Sequence, residues 1–555
     1  MAHAWKACWV KALGGFNTAI SGSNRRQYEP NRMGKPQNLY QKQVSVSAEL
    51  PRYRLGLTVG VKMNLVKSGI SILSSLGLVL VLIPAAHAVF EDPWDYETPK
   101  GSVNVGIKEQ NPVQISDLGV HIGKDSRLCD DGVGEGYCDL NDPKVNFQAR
   151  SILELCPTTS STNCVVGVSF RLPDGTVDEA KFIGYAGGPL FPGNPALNLR
   201  RGSQISLWQS SKAIHGGGQS TYMLNAMEYQ GFDRSSRKFR SYSLSASVIP
   251  YNLIEGSKFR SQQLIEEKKF NADHIWYHPV GGDAGCVWTS DGQCGQRQEF
   301  DQNIDISIEL RISNQIAGWF SGRLKNPQIE VKKFDSRTNS VKLSAKPVQV
   351  ARVMKILTPG ETSDKLFTAL GRHGGATVEQ VFYGGNNFLP PNSSKAGDSF
   401  TYIEEIRKLA NDTSAGVNTY WSVSSLAGKD QNNACLRSDS KLIGVVTTNA
   451  SVYDGGIPKF RSGSLEYTVS SFHYLPDGVT LNLGTYDLLV RSEVAKCLYG
   501  FGNIPLSAKV SVVNDKGSKA IATSLVSEKN GWLKLEVKGF TFSTKTIKVR
   551  ISPKK

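Results

Sequence analysis

The feature that most constrains this 555-residue chain is a strict alternation of apolar and polar residues in several short segments. In "NIDISIELRIS", apolar side chains recur at every second position from Ile304 to Ile312. A period of two places alternate side chains on opposite faces of a β-strand, so this pattern predicts a strand with one buried and one solvent-facing side. The segments "QIEVKKF", "SVKLSAK" and "SLEYTVSSF" are similar. The chain is therefore predicted to be mainly β.

The C-terminal segment "SVVNDKGSKAIATSLVSEKNGWLKLEVKGFTFSTKTIKVRI" reads as strands joined by tight turns. Two of these turns end in Gly517 and Gly531, and glycine tolerates the positive φ that tight turns require. The alternation between the turns predicts a β-meander on one face of a sandwich or barrel.

Trp532 opens the segment "WLKLEVKGF". If Leu533 and Leu535 face the core, strict alternation sends Trp532 to the other face of the strand. Because so large an apolar ring is costly to leave in water, we expect it to be buried near Tyr499 or Phe501, which would make the meander part of a larger body.

Helical patterns are few. The segments "DSFTYIEEIRKLAND" and "TSDKLFTALG" combine helical spacing of apolar residues with candidate caps, and "EGSKFRSQQLIEEKKFNAD" suggests a third helix. The predicted fold has two or more antiparallel β-sandwich or barrel-like domains with a few short helices. Pro347 and Pro359 suit a linker, so we predict a β-rich domain over residues 89–350. Residues 351–555 would form a second β-rich domain with short helices and the C-terminal meander.

An apolar run, "GLVLVLIPAAHA", lies unusually far inside the chain for the end of a secretory signal peptide. Read from Met63, however, the sequence has every part of one. Lys67 supplies the positive region, the apolar run follows, and Ala86 and Ala88 are the small residues of a cleavage site before Val89.

Residues 1–62 show no sustained hydrophobic period. We expect them to be a leader outside the mature protein, with translation starting at Met63 and residues 63–88 as the signal peptide. The alternative is a membrane anchor over residues 68–84. A spanning helix needs about 20 apolar residues, and Ser and Gly interrupt this run. We therefore expect a secreted or cell-surface protein without a membrane span in the mature chain.

The cysteine count supports export. The chain has nine cysteines, and removal of residues 1–88 discards Cys8 and leaves an even set of eight. No C-x-x-C motif is present, which argues against a zinc or thioredoxin-like site. Sequence alone cannot choose among the 105 connectivities that eight cysteines allow. Pairing of neighbours is the simplest prediction: Cys129–Cys138, Cys156–Cys164, Cys286–Cys294 and Cys435–Cys497.

The net charge of the whole chain, +15, overstates how basic the mature protein would be. Residues 1–88 hold eleven Lys or Arg and two Asp or Glu, so the remainder carries +6. This mild excess does not favour nucleic-acid binding, which usually requires a clustered basic face.

The most distinctive polar stretch is "DSRLCDDGVGEGYCDLNDPK". Calcium binds six to eight oxygen ligands, and Asp130, Asp131, Glu135 and Asp139 crowd a loop that a disulfide would close. The spacing does not match the EF-hand template. We therefore favour a solvated acidic loop and keep a calcium site as the alternative; no other cofactor is indicated.

A second stretch, "ADHIWYHPVGGDAGCVWTSDGQC", combines histidines with aromatic residues. His274 and His278 share one face of a helix or strand, but no third metal ligand is identifiable. Trp276, Tyr277 and Trp288 could form a surface that stacks on a sugar or a partner. Burial in a core is the more common role for such rings.

The segments "YWSVSSL…ACLRSDSKLIGVVTTNA", "LGTYDLLVRSEVAKCLYGF" and "SEKNGWLKLEVKGFTFSTKTIKV" resemble an uncharacterised family of secreted, disulfide-containing, β-rich bacterial proteins. The resemblance extends from Tyr420 to Val549. It implies secretion and a β-rich fold. No activity is attached to the family, so no functional residue is carried over.

Catalytic motifs are missing from the sequence: there is no G-x-S-x-G elbow, no P-loop and no G-x-G-x-x-G after a strand. Our first hypothesis is an exported, non-enzymatic surface, matrix or binding protein whose partner is a cell-envelope or extracellular polymer. The alternative is a secreted hydrolase of polysaccharide or peptide with dispersed catalytic carboxylates, which need not be close in sequence.

Overall fold

The computed structural model describes most of the chain after residue 98. The described residues are 99, 101–109, 119–122, 127–128, 139–142, 146–157, 163–186, 193–255, 286–290, 293–316, 318–374, 386–392, 398–426, 434–436, 441–500, 506–514, 519–520, 523–542 and 545–553. They belong to one compact unit. Strands dominate this unit, which confirms the mainly β prediction.

The strands are numbered in chain order. They are β1 (Val103–Ile107), β2 (Gly119–Ile122), β3 (Arg127–Leu128), β4 (Phe147–Ile152), β5 (Cys164–Arg171), β6 (Val177–Glu179), β7 (Lys181–Tyr185), β8 (Ser206–Gln209), β9 (Thr221–Asp233), β10 (Lys238–Glu255), β11 (Cys286–Ser290), β12 (Gln293–Arg297), β13 (Asp305–Ser313), β14 (Gly318–Arg323), β15 (Lys325–Lys333), β16 (Thr338–Lys346), β17 (Val348–Arg352), β18 (Met354–Leu357), β19 (Asn386–Leu389), β20 (Gly416–Leu426), β21 (Leu442–Thr448), β22 (Val452–Tyr453), β23 (Lys459–Arg461), β24 (Ser464–Ser470), β25 (Leu483–Arg491), β26 (Leu506–Asn514), β27 (Lys519–Ala520), β28 (Thr523–Lys529), β29 (Trp532–Thr541) and β30 (Lys545–Pro553).

The helices are α1 (Asp364–Gly374), α2 (Asp398–Leu409) and α3 (Ser492–Tyr499), and short 3-10 turns lie at Pro195–Leu197, Pro359–Glu361 and Ala434–Leu436.

A large central sheet organises the unit. Its strands follow the order β28-β29-β25-β21-β14-β20-β10-β9-β4-β2-β3, and β7, β8, β11, β12 and β17 pair at its sides. Almost all neighbours are antiparallel, but β14 and β21 run parallel. Strands from both sides of residue 350 alternate in this order, so the division that we predicted there falls inside one sheet.

A five-stranded sheet with the order β15-β16-β13-β5-β6 supplies the partner layer for one face of the central sheet. The apolar residues of β13 that the sequence pattern singles out, such as Ile308, point into the shared core. Phe170 and Leu343 join them from the same sheet, and Trp421 and Val445 reach the core from the central sheet. This pairing of two apolar faces is the sandwich that strict alternation predicts.

The other face of the central sheet is covered by a second layer of strands. The path β22-β24-β30-β26-β27, with β23 beside β24, forms a six-stranded sheet. Tyr467 and Val549 from this sheet share a core with Leu488 and Leu535 from the central sheet, and α3 adds Leu498. Strands β25 and β29 are therefore covered on both faces by apolar residues.

The C-terminal strands do not form the predicted meander. β28 and β29 form a hairpin in the central sheet, whereas β30 pairs with β26 and β24 in the six-stranded sheet. The physical reason is the difference in burial: β29 is largely buried on both sides from Trp532 to Val537, although one side carries Lys534 and Glu536, whereas β30 has a polar side on which Arg550 is exposed. The hairpin turn itself is as predicted, with φ of 52° at Asn530 and 76° at Gly531.

Trp532 is 7% exposed and lies on the opposite face of β29 from Leu533, so its predicted burial is confirmed. Of the two expected neighbours, Tyr499 is wrong, and Phe501 lies outside the described residues. The ring packs in the core under the five-stranded sheet, with the Arg491 guanidinium 4.9 Å from its centroid. Tyr499 lies in the other core, where its ring centroid is 5.1 Å from that of Phe460.

Helices α1 and α2 pack on a small sheet of the order β18-β1-β19. Ile403 and Ile406 are fully buried, as the predicted helical face requires. The Ser363 hydroxyl accepts a hydrogen bond from the Leu366 N–H and caps α1, which continues beyond the predicted end at Gly371. Helix α3 was not predicted from the sequence, and the suggested helix after residue 255 lies outside the described residues.

A helix that crosses a membrane must be both long and apolar. None of the helices in the described part of the chain has both properties.

Candidate functional site

The most concentrated polar cluster among the described residues lies where the central sheet forks. Strand β10 pairs with β20 from Ser245 to Val248, and beyond this point it pairs with β12 instead. At the fork the Thr419 N–H of β20 donates to Glu299 Oε2 over 2.7 Å, and the Thr419 hydroxyl contacts the same oxygen. The Glu299 carboxyl thus supplies the acceptor that a neighbouring strand would otherwise provide.

The environment of Glu299 changes its acidity. Burial raises the pKa of this carboxyl from 4.5 to about 7, against the lowering effects of the Thr419 hydrogen bonds and of Arg297 and Arg352. A carboxyl with such a pKa exchanges its proton near neutral pH, which is the property required of a general acid or base.

Two arginines hold the rim of this cluster. The Arg297 guanidinium lies 5.0 Å from the centroid of the Tyr420 ring, a cation–π contact. Arg352 donates to the Ala415 carbonyl over 3.0 Å. A Cβ at Gly416 would lie 2.5 Å from the Arg352 guanidinium, so a larger residue there would displace the Arg352 side chain.

An ion pair between Arg323 and Glu109 extends the cluster. Arg323, which is 1% exposed, pairs with Glu109 and donates to the Thr448 carbonyl over 3.0 Å. Its guanidinium lies 4.5 Å from the centroid of the Tyr453 ring. Burial is the largest single effect and lowers the pKa of Arg323, but Glu109, Tyr453 and Tyr420 together outweigh it, and the pKa is raised overall.

Tyr420 interacts electrostatically with both Glu109 and Glu299. Burial is the main cause that raises the pKa of its hydroxyl, and the charges of both Glu109 and Glu299 raise it further. Two carboxyl groups, distant in sequence, are therefore within electrostatic range of one hydroxyl. We call this set the Tyr420 network: Glu109, Arg297, Glu299, Arg323, Arg352, Thr419, Tyr420 and Tyr453.

The solvent exposure of the Tyr420 network limits which functions it can have. Arg297 is 5% exposed, Glu299 9%, Arg323 1% and Arg352 8%. Groups buried to this degree can exchange protons and hold strands together. They do not offer the open surface that a polymer chain would need for contact.

The calcium hypothesis falls mostly outside the described residues. Asp130, Asp131 and Glu135 lie there, whereas Asp139 accepts hydrogen bonds of 2.8 Å from the backbone and the side-chain amide of Asn141. Within the described ranges, no group of three or more His, Cys, Asp or Glu side chains is arranged to hold a metal.

The aromatic surface proposed from the sequence is also only partly described. Trp276 and Tyr277 lie outside the described residues. Trp288 is 6% exposed and packs edge-on against Tyr251, with ring centroids 5.6 Å apart. Trp288 is therefore part of the core, which is the more common role for such aromatic rings, and not of an exposed binding surface.

Two predicted disulfides are confirmed. Cys156–Cys164 has a Cα–Cα distance of 4.9 Å, and Cys435–Cys497 has one of 5.7 Å. Cys294 is also disulfide-bonded, on a strand that pairs with the strand of Cys286. The predicted bridge Cys129–Cys138 lies outside the described residues, as does Cys8.

The Tyr420 network was not predicted from the sequence. In "CGQRQEF", Arg297 and Glu299 are two apart and so share a strand face, which is a weak sign of a local ion pair. Their burial depends on strands more than a hundred residues away, and no local pattern encodes it. A scan against protein-family models found no match for the chain, and searches of curated proteins and of solved structures found no similar protein.

Proposed function

We propose that the protein is exported and acts as a non-enzymatic component of the cell surface or extracellular matrix, where it binds a polymer. The observation that carries this proposal is the oxidised state of its cysteines. The Cys435–Cys497 bridge joins the Ala434–Leu436 turn to α3 across 62 residues. Such bridges persist mainly in oxidising compartments outside the cytosol. The signal-peptide pattern that ends before Val89 supports the same location.

The Tyr420 network supports a non-enzymatic role. The Glu109 carboxylate is engaged by Arg323, and the Glu299 carboxyl by Thr419. Glu109 follows β1 of the small sheet and Arg323 ends β14, whereas Glu299 follows β12 and Thr419 lies in β20. Each of these two contacts therefore joins segments that are not paired as neighbouring strands. A buried network of this kind specifies one arrangement of strands.

A secreted hydrolase is the second candidate, and one observation favours it. Glu109 and Glu299 both act on the Tyr420 hydroxyl, and the pKa of Glu299 near 7 suits acid–base catalysis at neutral pH. In this alternative the two carboxyls would be the dispersed catalytic pair, and the site would have to open to admit a substrate.

A binding experiment with a matched variant separates the two candidates. Purified protein is mixed with insoluble cell-wall polysaccharide and sedimented, and the supernatant is assayed for released reducing ends. Wild type and Glu299→Gln are expected to sediment equally with the polymer and to release nothing. The control Glu330→Gln removes an exposed carboxylate that is ion-paired with Lys332. Release by wild type that is lost only in Glu299→Gln would overturn the non-enzymatic proposal.

Export is tested separately. The chain that starts at Met63 and a shortened chain that starts at Val89 behind an added methionine are produced in a bacterial host, and the cells are fractionated. The chain from Met63 should reach the medium or be removed from intact cells by protease, whereas the shortened chain should stay inside. Retention of both proteins in the cytoplasm would contradict the proposal.

A further inference from the structure

A second polar cluster lies where the chain leaves the central sheet for the five-stranded sheet. Strand β14 ends at Arg323, and β15 begins with a bulge in which Asn326 has a φ of +56°. This left-handed conformation turns Asn326 onto β25, where its backbone N–H donates to Asp487 Oδ2 over 3.1 Å.

Lys534 approaches the same asparagine from β29. It pairs in register with Leu489 of β25, two residues from Asp487 and on the same face of the sheet. Its amine, Nζ, contacts Asn326 Oδ1. Because Oδ1 is bonded directly to the side-chain carbon Cγ, this contact brings a nucleophile to the carbonyl carbon of the amide.

The Asp487 carboxyl is placed to move a proton at this point. It is 1% exposed, and Oδ1 has no hydrogen-bond partner among the described residues. Burial raises the pKa of Asp487 to about 7, although the charge of Lys534 lowers it. Glu536 lies opposite in register and raises this pKa slightly; it is itself ion-paired with Lys538 at 2.9 Å.

The surroundings favour reaction between these groups over competing reactions. Leu489 and Trp532, on the same face of the two strands, belong to the apolar core, so water is largely excluded from one side of the cluster. An asparagine amide is ordinarily lost when the backbone nitrogen of the next residue attacks it. The next residue here is Pro327, whose nitrogen carries no hydrogen.

We propose that Lys534 and Asn326 are joined by an isopeptide bond, formed by the folded protein itself. Lys534 transfers a proton to Asp487, and the neutral Nζ attacks Cγ of Asn326. The Nζ–Cγ bond forms and the bond between Cγ and the original amide nitrogen breaks. The leaving nitrogen takes the proton held by Asp487 and departs as ammonia, and the second proton that Nζ loses on becoming an amide passes to the Asp487 carboxylate. The reaction exchanges one amide for another, so it needs neither oxidant nor reductant.

The bond would connect β15 of the five-stranded sheet to β29 of the central sheet across 208 residues. The two layers already share an apolar core and the chain connection from β14 to β15. The bond would add a second covalent connection, and the intervening chain would form a closed loop. Formation of the bond requires only the folded chain. The experiment that tests it therefore does not depend on export or on a ligand.

Mass spectrometry of the wild-type protein tests the proposal without any variant. After reduction and alkylation, the intact mass should be lower by one ammonia than the mass calculated from the sequence of the same chain with every cysteine alkylated. Trypsin cannot cleave after an acylated lysine, so digestion should yield residues 326–332 joined to residues 530–538. A full sequence mass together with separate peptides, including cleavage after Lys534, would overturn the proposal.

Variants assign the roles of the three residues. Lys534→Arg and Asn326→Ala should each have the full mass, because either change removes a bond-forming group. Asp487→Asn keeps both reacting side chains and should also have the full mass, even in protein that has formed its disulfides. Lys538→Arg, on the same face of β29, is the matched control and should still lose ammonia. Loss of ammonia in Asp487→Asn would refute proton transfer by Asp487.

Discussion

Replacement of Glu299 by Gln should make the stability of the protein less dependent on pH. Glutamine retains a side-chain oxygen that can accept the hydrogen bonds from Thr419, but it cannot ionise. The pKa of Glu299 is about 7 in the folded protein, against an ordinary value of 4.5. Between these values the folded state holds a proton that the unfolded state has released, so stability falls as the pH rises from about 4.5 to 7.

The size of the effect follows from the two pKa values. Each tenfold change in proton affinity corresponds to about 1.4 kcal/mol, so the wild type should lose about 3 kcal/mol across this interval. Most of the loss lies between pH 5 and pH 8. The free energy of unfolding of Glu299→Gln, relative to that of wild type, should therefore rise by about 2–3 kcal/mol from pH 5 to pH 8.

Denaturant unfolding at pH 5, 6, 7 and 8 measures this difference in the free energy of unfolding. Groups that titrate equally in both proteins contribute equally to the two free energies, so their contributions cancel in the difference. The control is Glu330→Gln, whose carboxylate is exposed and has a pKa that the hydrogen bond from Lys332 lowers. Its difference from wild type should be constant over this pH range. A constant difference for Glu299→Gln as well would refute the conclusion that burial dominates the acidity of Glu299.

Three further changes test the packing of the core. Trp532→Ala should lower the free energy of unfolding by about 3–5 kcal/mol, as for other large-to-small core changes, in a denaturant titration; a loss below about 1 kcal/mol would place the ring at the surface. Replacement of Cys435 and Cys497 by serine should cost about 4 kcal/mol on the chain-entropy model, which the shift in thermal midpoint measures. Arg323→Ala leaves the Glu109 carboxylate without its buried partner and should cost about 3–5 kcal/mol by the same titration, whereas a loss under 1 kcal/mol would mean that the pair is solvated.

Local patterns predicted the parts of the fold that depend on neighbouring residues. The alternation around Ile308 predicts which face of the strand is buried, and Asn530-Gly531 predicts where the chain reverses. Both predictions are confirmed. The pairing of Cys156 with Cys164 is also a local feature, because a sequence separation of only 8 keeps the two cysteines close in space.

The layer to which each strand belongs was not predictable in this way. Trp532 was expected to be buried, but its position in the core under the five-stranded sheet depends on β13 and β16, far away in the sequence. The burial of Glu299 and Asp487 also depends on segments that are distant in sequence. A local sequence pattern alone would predict both carboxyl groups to be exposed to solvent. Helix α3 is short, and its burial against β25 and β29 outweighs its weak local signal.

The intact mass of the protein recovered from outside the cytoplasm tests export in an oxidised form most directly. We predict a mature chain of residues 89–555 in which all eight cysteines are oxidised before any reducing agent is added. A protein that retains residues 1–62, or one whose cysteines react with a thiol reagent without prior reduction, would contradict it.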